Sequence, residues 1–241
     1  MPGFVDVHSH VIPSGDDGAQ SIDEGLALCR EAAEHGTRVL YGTPHVLPGE
    51  GLRRERELRV RAAHELMATE AVEFGLDLRL GFELTPAVEL LAEDLGRYRL
   101  SGLETPSVLI EFPFRGELEL LSSVADHAEA CGLRPVLAHP ERVEAVLAQP
   151  DRALRFAERG WPIQVNASSL LGRHGPRPAE VGWWLVMDGH AALVASDGHR
   201  RNRPPYLDGA YAEVVRRLGE PRATALFDGS VLGGSVEPAV A

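Results

Sequence analysis

The sequence predicts an α/β fold: a single barrel-like domain of parallel strands wrapped by helices. Three observations predict it. A short apolar or β-branched run followed by an amphipathic stretch recurs about seven times along the 241 residues, the alternation that parallel strands with helical crossovers require. Each run ends in a residue able to hold a metal ion or a phosphate. Those residues also recur at steady intervals: from His10 to His45, Glu83, Glu111, His139, Asn166 and Asp197 the steps are 35, 38, 28, 28, 27 and 31 residues, each about one βα unit.

The elements follow in order. Strands are expected near 4–7, 38–41, 77–80, 107–111, 134–138, 162–165 and 192–195, where apolar and β-branched residues are bounded by turn formers. The first helix, 22–35, opens on Ser21 with Glu24 three residues on and closes at Gly36. The charged stretch 53–74 closes at Gly75, and 117–131 closes at Gly132. Further helices are expected at 142–148, 150–158, 178–187 and 205–217. No linker or low-complexity block divides the chain, so the domain is read as 1–228, followed by a glycine-rich and loosely ordered tail, 229–241.

Composition narrows the function classes. A hydrophobic content of 44% suffices for a full core. The net charge of −12 disfavours broad nucleic-acid binding. No apolar run approaches the ~20 residues of a membrane span, and the N-terminus lacks the pattern of a signal peptide. A cytoplasmic protein without a membrane span is expected. Every basic side chain is an arginine, the better fork for phosphate. Cys29 and Cys131 lie too far apart in helical segments to suggest a disulfide framework and read as buried thiols.

The candidate chemistry begins at Asp6-Val7-His8-Ser9-His10. In an extended strand, residues i and i+2 share a side, so His8 and His10 can aim two imidazoles at one point. Asp6, Asp16 and Asp17 add hard oxygen donors nearby. By itself this segment fits a metal pair and a solvated strand end equally. A parallel barrel changes the balance, because all its strands end on one rim. His8, His10, His45, Glu83, Glu111, His139, Asn166, Asp197 and His199 would then converge.

Glu111 is a carboxylate in an apolar strand, Val108 to Phe112, and such a group is rarely buried without a partner or metal. Glu83 fits both a ligand and a cap for a helix near Pro86. Asp17, within Gly15-Asp16-Asp17-Gly18, reads most simply as a turn residue, promoted only by its place beside the first histidine pair. Asp197-Gly198-His199 repeats the Asp-x-His arrangement of the opening segment. His35, His64, His127, His174 and His190 fall in helices, helix ends or loops, where surface or capping roles suffice.

With these residues in view, the chain resembles the polymerase and histidinol phosphatase (PHP) superfamily. Within it, the bacterial, capsule-locus type of metal-dependent protein tyrosine phosphatase is the most similar. The motifs run from Asp6-Val-His-Ser-His10 through Asp16-Asp17-Gly18, Thr43-Pro44-His45, Gly81-Phe82-Glu83 and Leu109-Ile110-Glu111-Phe112. They continue through His139-Pro140-Glu141-Arg142, Gln164 to Ser168 and Ser196-Asp197-Gly198-His199 to Arg203-Pro204-Pro205, covering roughly residues 3–227.

The resemblance implies a distorted (β/α)7 TIM-like barrel with three divalent metal ions, manganese foremost and iron or zinc as alternatives. Carried over, His8, His10, Glu83 and Asp197 hold one ion; Glu83 bridges to a second held by Glu111 and His139; Asp17, His45 and His199 hold the third. Arg142 and Arg203 would grip the substrate phosphate and Asn166 would join the substrate contacts; where the leaving oxygen needs a proton, His199 or a metal-bound water would serve. Asp6, not among the ligands, fits a role orienting a histidine and a purely structural role equally. Two departures stand out: Phe227-Asp228-Gly229-Ser230 where family members carry Asn-Pro, and the run Arg53-Arg54-Glu55-Arg56, which bears on what docks beside the barrel mouth.

The implied activity is hydrolysis of phosphotyrosine in a protein, a bacterial tyrosine kinase controlling polysaccharide synthesis, whose kinase brings the phosphatase near the membrane. A cysteine mechanism is excluded, because it needs Cys-x5-Arg, whereas His35 follows Cys29 and Leu137 follows Cys131 at that spacing. Two alternatives are a small-molecule PHP phosphatase such as histidinol phosphatase, and a catalytically silent metal-binding or kinase-docking protein. The Asp-Asp-Gly segment and the pairing of His-Pro-Glu-Arg with Arg-Pro-Pro favour the capsule type. The complete ligand set speaks against silence.

Overall fold

The computed structural model describes residues 3–49, 53–114 and 118–233. Nine strands occur among them: β1 (Phe4–Ser9), β2 (Thr37–Gly42), β3 (His45–Val46), β4 (Asp77–Leu80), β5 (Glu83–Leu84), β6 (Ser107–Glu111), β7 (Arg134–Ala138), β8 (Ile163–Asn166) and β9 (Ala191–Ala195). Every named pairing is parallel. They form two sheets, β1-β2-β4 and β3-β5-β6-β7-β8-β9.

The nine strands are the seven expected ones, two of them interrupted. β2 breaks at Thr43-Pro44 before β3, where proline lacks the N–H a ladder needs. β4 breaks at Gly81-Phe82 before β5, and a Cβ on Gly81 would lie 2.4 Å from Leu100 Cδ2. Thr43 N–H donates to the Ser9 carbonyl at 2.7 Å and Gly81 N–H to the Gly42 carbonyl at 3.0 Å, so the breaks stay in register.

The first and last strands meet along a seam. A parallel bridge joins Ser9 to Gly198. Asp197 N–H donates to the His8 carbonyl at 2.9 Å, and His10 N–H to the Gly198 carbonyl at 2.6 Å. Asp6 Oδ1 accepts from Ser196 N–H at 3.0 Å, so its carboxylate clasps the seam. The distorted, barrel-like arrangement is therefore drawn together by the residues expected to hold metal.

Helices α1 (Ile22–Glu34), α2 (Arg54–Ala71), α3 (Glu119–Ala130), α4 (Glu144–Ala148) and α5 (Leu154–Ala157) surround the strands in order. α6 (Ala167–Leu170), α7 (Pro176–Met187), α8 (Asp208–Leu218) and α9 (Glu220–Phe227) complete the layer. Ser21 caps α1 as expected, accepting from Glu24 N–H at 3.2 Å. The helix expected from residue 205 starts instead at Asp208, after two prolines, and the expected start of α3 at residue 117 lies outside the described residues. α6 and α9 were not anticipated.

Strand faces divide the core. Phe4, Leu40, Val108, Ile110, Leu137, Ile163 and Val194 pack outward with helix residues. Val5, Val7, Val39, Tyr41, Leu109, Val136, Ala138, Leu193 and Ala195 pack strand against strand, joined by Leu100 and Leu232. In β1, the pairs Asp6↔Leu40 and Ser9↔Gly42 set three residues against two. Such a bulge re-phases the alternation, so Val5 and Val7 line the interior while His8 and His10 carry on to the mouth.

Packing continues past residue 228. Gly229 takes a left-handed φ of 71°, and Leu232, in the turn Ser230–Leu232, has no exposed surface. Arg134 Nη1 donates to the Val231 carbonyl at 2.7 Å. The start of the expected loose tail thus belongs to the fold, and residues 234–241 lie outside the described ones. Truncating Leu232 to alanine should cost about 2–5 kcal/mol in a urea unfolding titration, whereas a loose tail would leave the midpoint unchanged.

Candidate metal centre

The strand ends deliver their polar residues to one place. Glu83, at the start of β5, has no exposed surface. Its Oε2 lies 3.2 Å from His8 Nε2, 3.2 Å from His10 Nε2 and 3.1 Å from His45 Nδ1, yet it has no hydrogen-bond partner. Its Oε1 lies 3.0 Å from His139 Nε2. Asp197 Oδ1 stands 3.5 Å from His8 Nε2 and 3.6 Å from His10 Nε2. Asp17 Oδ1, on a side chain 68% exposed at the lip, reaches His199 Nε2 at 3.2 Å and His45 Nε2 at 3.7 Å.

Compact donor sets within this cluster are His8, His10 and Asp197; His8, Glu83 and His139; His45, Glu83 and Glu111; and His10, Asp17, His45 and His199. All nine expected ligands are present. The first set is the expected first grouping without Glu83, and the last is the expected third grouping with His10 added. Glu111 and His139, expected together, each join Glu83 in a different set.

Local backbone explains the aim. Among described residues other than glycine, only His139 (φ 42°) and Asp197 (φ 51°) are left-handed, a conformation costing roughly 1–3 kcal/mol unless its surroundings enforce it. His139 directly follows β7 and Asp197 comes two residues after the end of β9, where the turn redirects the side chain towards the cluster. Gly18 lies against His10, since a Cβ there would come 2.3 Å from the His10 carbonyl oxygen. Gly198 lies against Pro205 in the same way, at 2.6 Å from its Cα. These contacts account for the glycines in Asp-Asp-Gly and Asp-Gly-His.

Two imidazoles have their tautomers set from behind. His8 Nδ1 lies 3.0 Å from Gln164 Oε1, and His199 Nδ1 lies 2.9 Å from the Asp197 carbonyl. An N–H donated to each oxygen leaves Nε2 with a lone pair facing the cluster. From Gln164 the chain of bonds continues: its Nε2 donates to Asn166 Oδ1 at 2.8 Å, and Asn166 Nδ2 donates to Asp197 Oδ2 at 2.8 Å. His8 and Asp197, two expected ligands of one ion, are thereby tied to a common support. Asn166, expected among the substrate contacts, is fully buried, is not part of the lining of the cavity at the mouth, and makes its contacts within this support.

The electrostatics suit cations. Burial works against a charged Glu83, but the histidines gathered around it, His139 by a hydrogen bond, hold its carboxyl well below the usual range. Burial, then the Glu83 charge, pushes Glu111 up to about 7. Burial depresses His45 to about 4, leaving a neutral ring. For His10, burial is outweighed by hydrogen bonds to Asp16 and Glu83, which raise it to about 10. Bound metal would displace that proton. Orphaned oxygen on Glu83, a carboxylate as weakly acidic as Glu111 and lone pairs converging from imidazoles all fit divalent ions bound through mixed nitrogen and oxygen donors.

Several contributors escaped the sequence reading. Asp16, noted in the sequence only as a nearby oxygen donor, has a bracing role that was not foreseen: its Oδ2 accepts from His45 N–H at 3.1 Å and lies 3.5 Å from His10 Nδ1. Thr85 Oγ1 donates to Glu111 Oε1. Arg56 donates to the His45 carbonyl at 2.6 Å and to the Ser14 carbonyl at 2.9 Å, turning part of the arginine-rich run inward as a clamp. Gln164 had a legible signal, as a polar residue two before Asn166 in an apolar strand. A cavity of about 170 Å³ opens above the cluster, lined also by Phe114, Arg142 and Arg203. A larger groove of about 340 Å³ by Arg134, Trp161 and His190 gathers none of these donors.

A parallel α/β barrel with a histidine and carboxylate cluster at its strand ends is the layout of a metal-dependent hydrolase. The chain belongs to the family described as capsular polysaccharide synthesis, CpsB/CapC, which it matches over residues 4–230. It is 28% identical over 234 residues to the tyrosine-protein phosphatase CpsB of Streptococcus agalactiae serotype V, covering 93% of this chain and 95% of that one. To the tyrosine-protein phosphatase YwqE of Bacillus subtilis it is 29% identical over 199 residues, covering 81% and 77%. Among solved structures, one described with YwqE from Bacillus subtilis and CpsB from Streptococcus pneumoniae as metal-dependent tyrosine phosphatases matches with a TM-score of 0.83. That match is 25% identical and covers 95% of this chain and 93% of the other. The expected family and fold class are borne out.

Replacing Asn166 or Gln164 by alanine should lower metal affinity, read by titration with manganese, by the ~10–100-fold that losing a support behind a ligand costs. Unchanged metal affinity with weakened substrate binding would instead restore Asn166 to the substrate.

Proposed function

We propose that the protein is a metal-dependent phosphotyrosine-protein phosphatase acting in the cytoplasm on a bacterial tyrosine kinase that controls polysaccharide synthesis. The observation that carries this reading is the complete set of nine donors, Glu83 among them, with two arginine forks at its mouth. Arg142 Nη1 lies 2.7 Å from Asp197 Oδ2, and Arg203 Nη2 lies 3.3 Å from Asp197 Oδ1. Membership of the CpsB/CapC family supports the same conclusion.

The chemistry divides between ions and protein. Divalent ions held by these residues, manganese by preference and three in number, supply Lewis-acid stabilisation of phosphate charge and a water of lowered pKa. The protein supplies position. Arg142 and Arg203 stand on opposite oxygens of one carboxylate, ready to take non-bridging phosphate oxygens bidentately. Asp197 holds both forks until substrate arrives. A phenolic oxygen, with pKa about 10, leaves with little proton assistance, and none is asked of His199, whose Nε2 lone pair faces the cluster. No cysteine takes part: Cys29 is buried, and burial pushes its thiol up to about 12.

Replacing His139 or Glu111 by alanine should remove metal and reduce phosphotyrosine-peptide turnover beyond the ~10–100-fold typical of lost supports. Arg203→Ala should raise KM with metal content intact. Exchanging both cysteines for alanine should leave turnover in place. Parallel assays on phosphotyrosine peptide, phosphoserine peptide and histidinol phosphate, with manganese at full occupancy, decide the substrate class. Turnover of none contradicts an enzymatic role, and preference for histidinol phosphate contradicts the protein substrate.

A further inference from the structure

We propose that Phe114 is the aromatic wall of the substrate site and selects aryl over alkyl phosphates, an inference that rests on the phosphatase reading and deepens it. Phe114 lies three residues beyond Glu111, just past β6. The cavity lining is otherwise made of aspartate, glutamate, histidine and arginine; among the described residues Phe114 is its one apolar member. A phosphate ester has two halves, and the charged lining serves only one.

The core has no need of this ring. Phe112, two residues earlier, is fully buried and packs edge-on against Phe156 at 5.1 Å. Phe114 stays 45% exposed, yet it is held in place. Its ring stacks on His139 at 5.7 Å and 21°, the Arg142 guanidinium carbon lies 5.1 Å from its centroid, and its carbonyl accepts from Glu144 N–H at 3.4 Å. Other exposed apolar side chains, such as Leu58, Leu66 and Val88, lie away from the cavity lining.

Geometry then favours an aromatic ester. In an aryl phosphate the ring is one oxygen away from phosphorus, so a phosphate gripped by Arg142 carries its ring alongside Phe114. Aromatic rings interact at centroid separations of about 4.5–7 Å, a range that the Arg142 to Phe114 spacing permits. An alkyl phosphate offers the same phosphate with no ring to stack. Because Phe114 also touches His139 and Arg142, its removal could disturb phosphate binding in general. The test separates the two effects.

Calorimetric titration of the manganese-loaded protein with phenylphosphonate and with methylphosphonate reads the ring and the anion separately. The unaltered protein should prefer phenylphosphonate by roughly two- to tenfold, the worth of one aromatic pair. Phe114→Leu should abolish that preference with metal content unchanged, and Phe114→Tyr should keep it. Equal binding of both phosphonates by the unaltered protein, or equal weakening of both in Phe114→Leu, overturns the inference. A failure of the unaltered protein to hydrolyse phosphotyrosine peptide would overturn the phosphatase reading, whatever the titrations give.

Discussion

One oxygen of Glu83, buried and without a hydrogen bond, faces three imidazole nitrogens, two from the β1 segment and one from β3. A carboxylate held this way is costly to leave uncompensated, because desolvation of a charge amounts to several kcal/mol. The surrounding histidines offset part of that cost, and divalent ions, with two charges each and several open coordination positions, offset it further. The rest of the architecture is organised around delivering donors to this oxygen. β1 contributes two histidines past a bulge, β3 and β5 exist as short continuations that carry His45 and Glu83, and left-handed residues after β7 and β9 turn His139 and Asp197 towards it.

Site and fold are built from the same hydrogen bonds. The main-chain groups of His8, His10, Asp197 and Gly198 join the first strand to the segment following the last, while the side chains of His8, His10 and Asp197 meet in the cluster. Loosening the seam would displace three candidate ligands together. The polar chain from His8 through Gln164 and Asn166 to Asp197 runs behind the donors and crosses the same junction. A fully connected buried network of this kind fixes side-chain geometry more firmly than isolated bonds do, which a metal site requires of its donors.

The sequence revealed those parts whose signals are local. β6 and β7 coincide with the expected 107–111 and 134–138 because both are apolar runs buried along their length. Eight of the nine donors were legible for a related reason: each is a polar residue closing, or just beyond, an apolar strand, at intervals set by the βα repeat, whereas Asp17 stood out only by its place beside the first histidine pair. Short elements were not. α6 spans four residues, too few to display a helical period, and α9 opens at Glu220-Pro221 straight after Gly219, where the pattern reads as an ending. The supports were hidden for a different reason. Gln164 meets His8 across 156 positions, and Arg56 meets Ser14 across 42, contacts that depend on how strands align and not on any spacing. Asn166 illustrates both limits, since its strand-end position was evident and its direction, away from the cavity, was not.

A centre assembled on one shared carboxylate makes a direct claim about where ions sit. Crystals of the manganese-loaded protein, measured at a wavelength where manganese scatters anomalously, test it. The account predicts separate peaks within the cluster, two of them in contact with Glu83 and one bounded by Asp17, His45 and His199. A single peak remote from Glu83, or anomalous density confined to surface carboxylates, would contradict it.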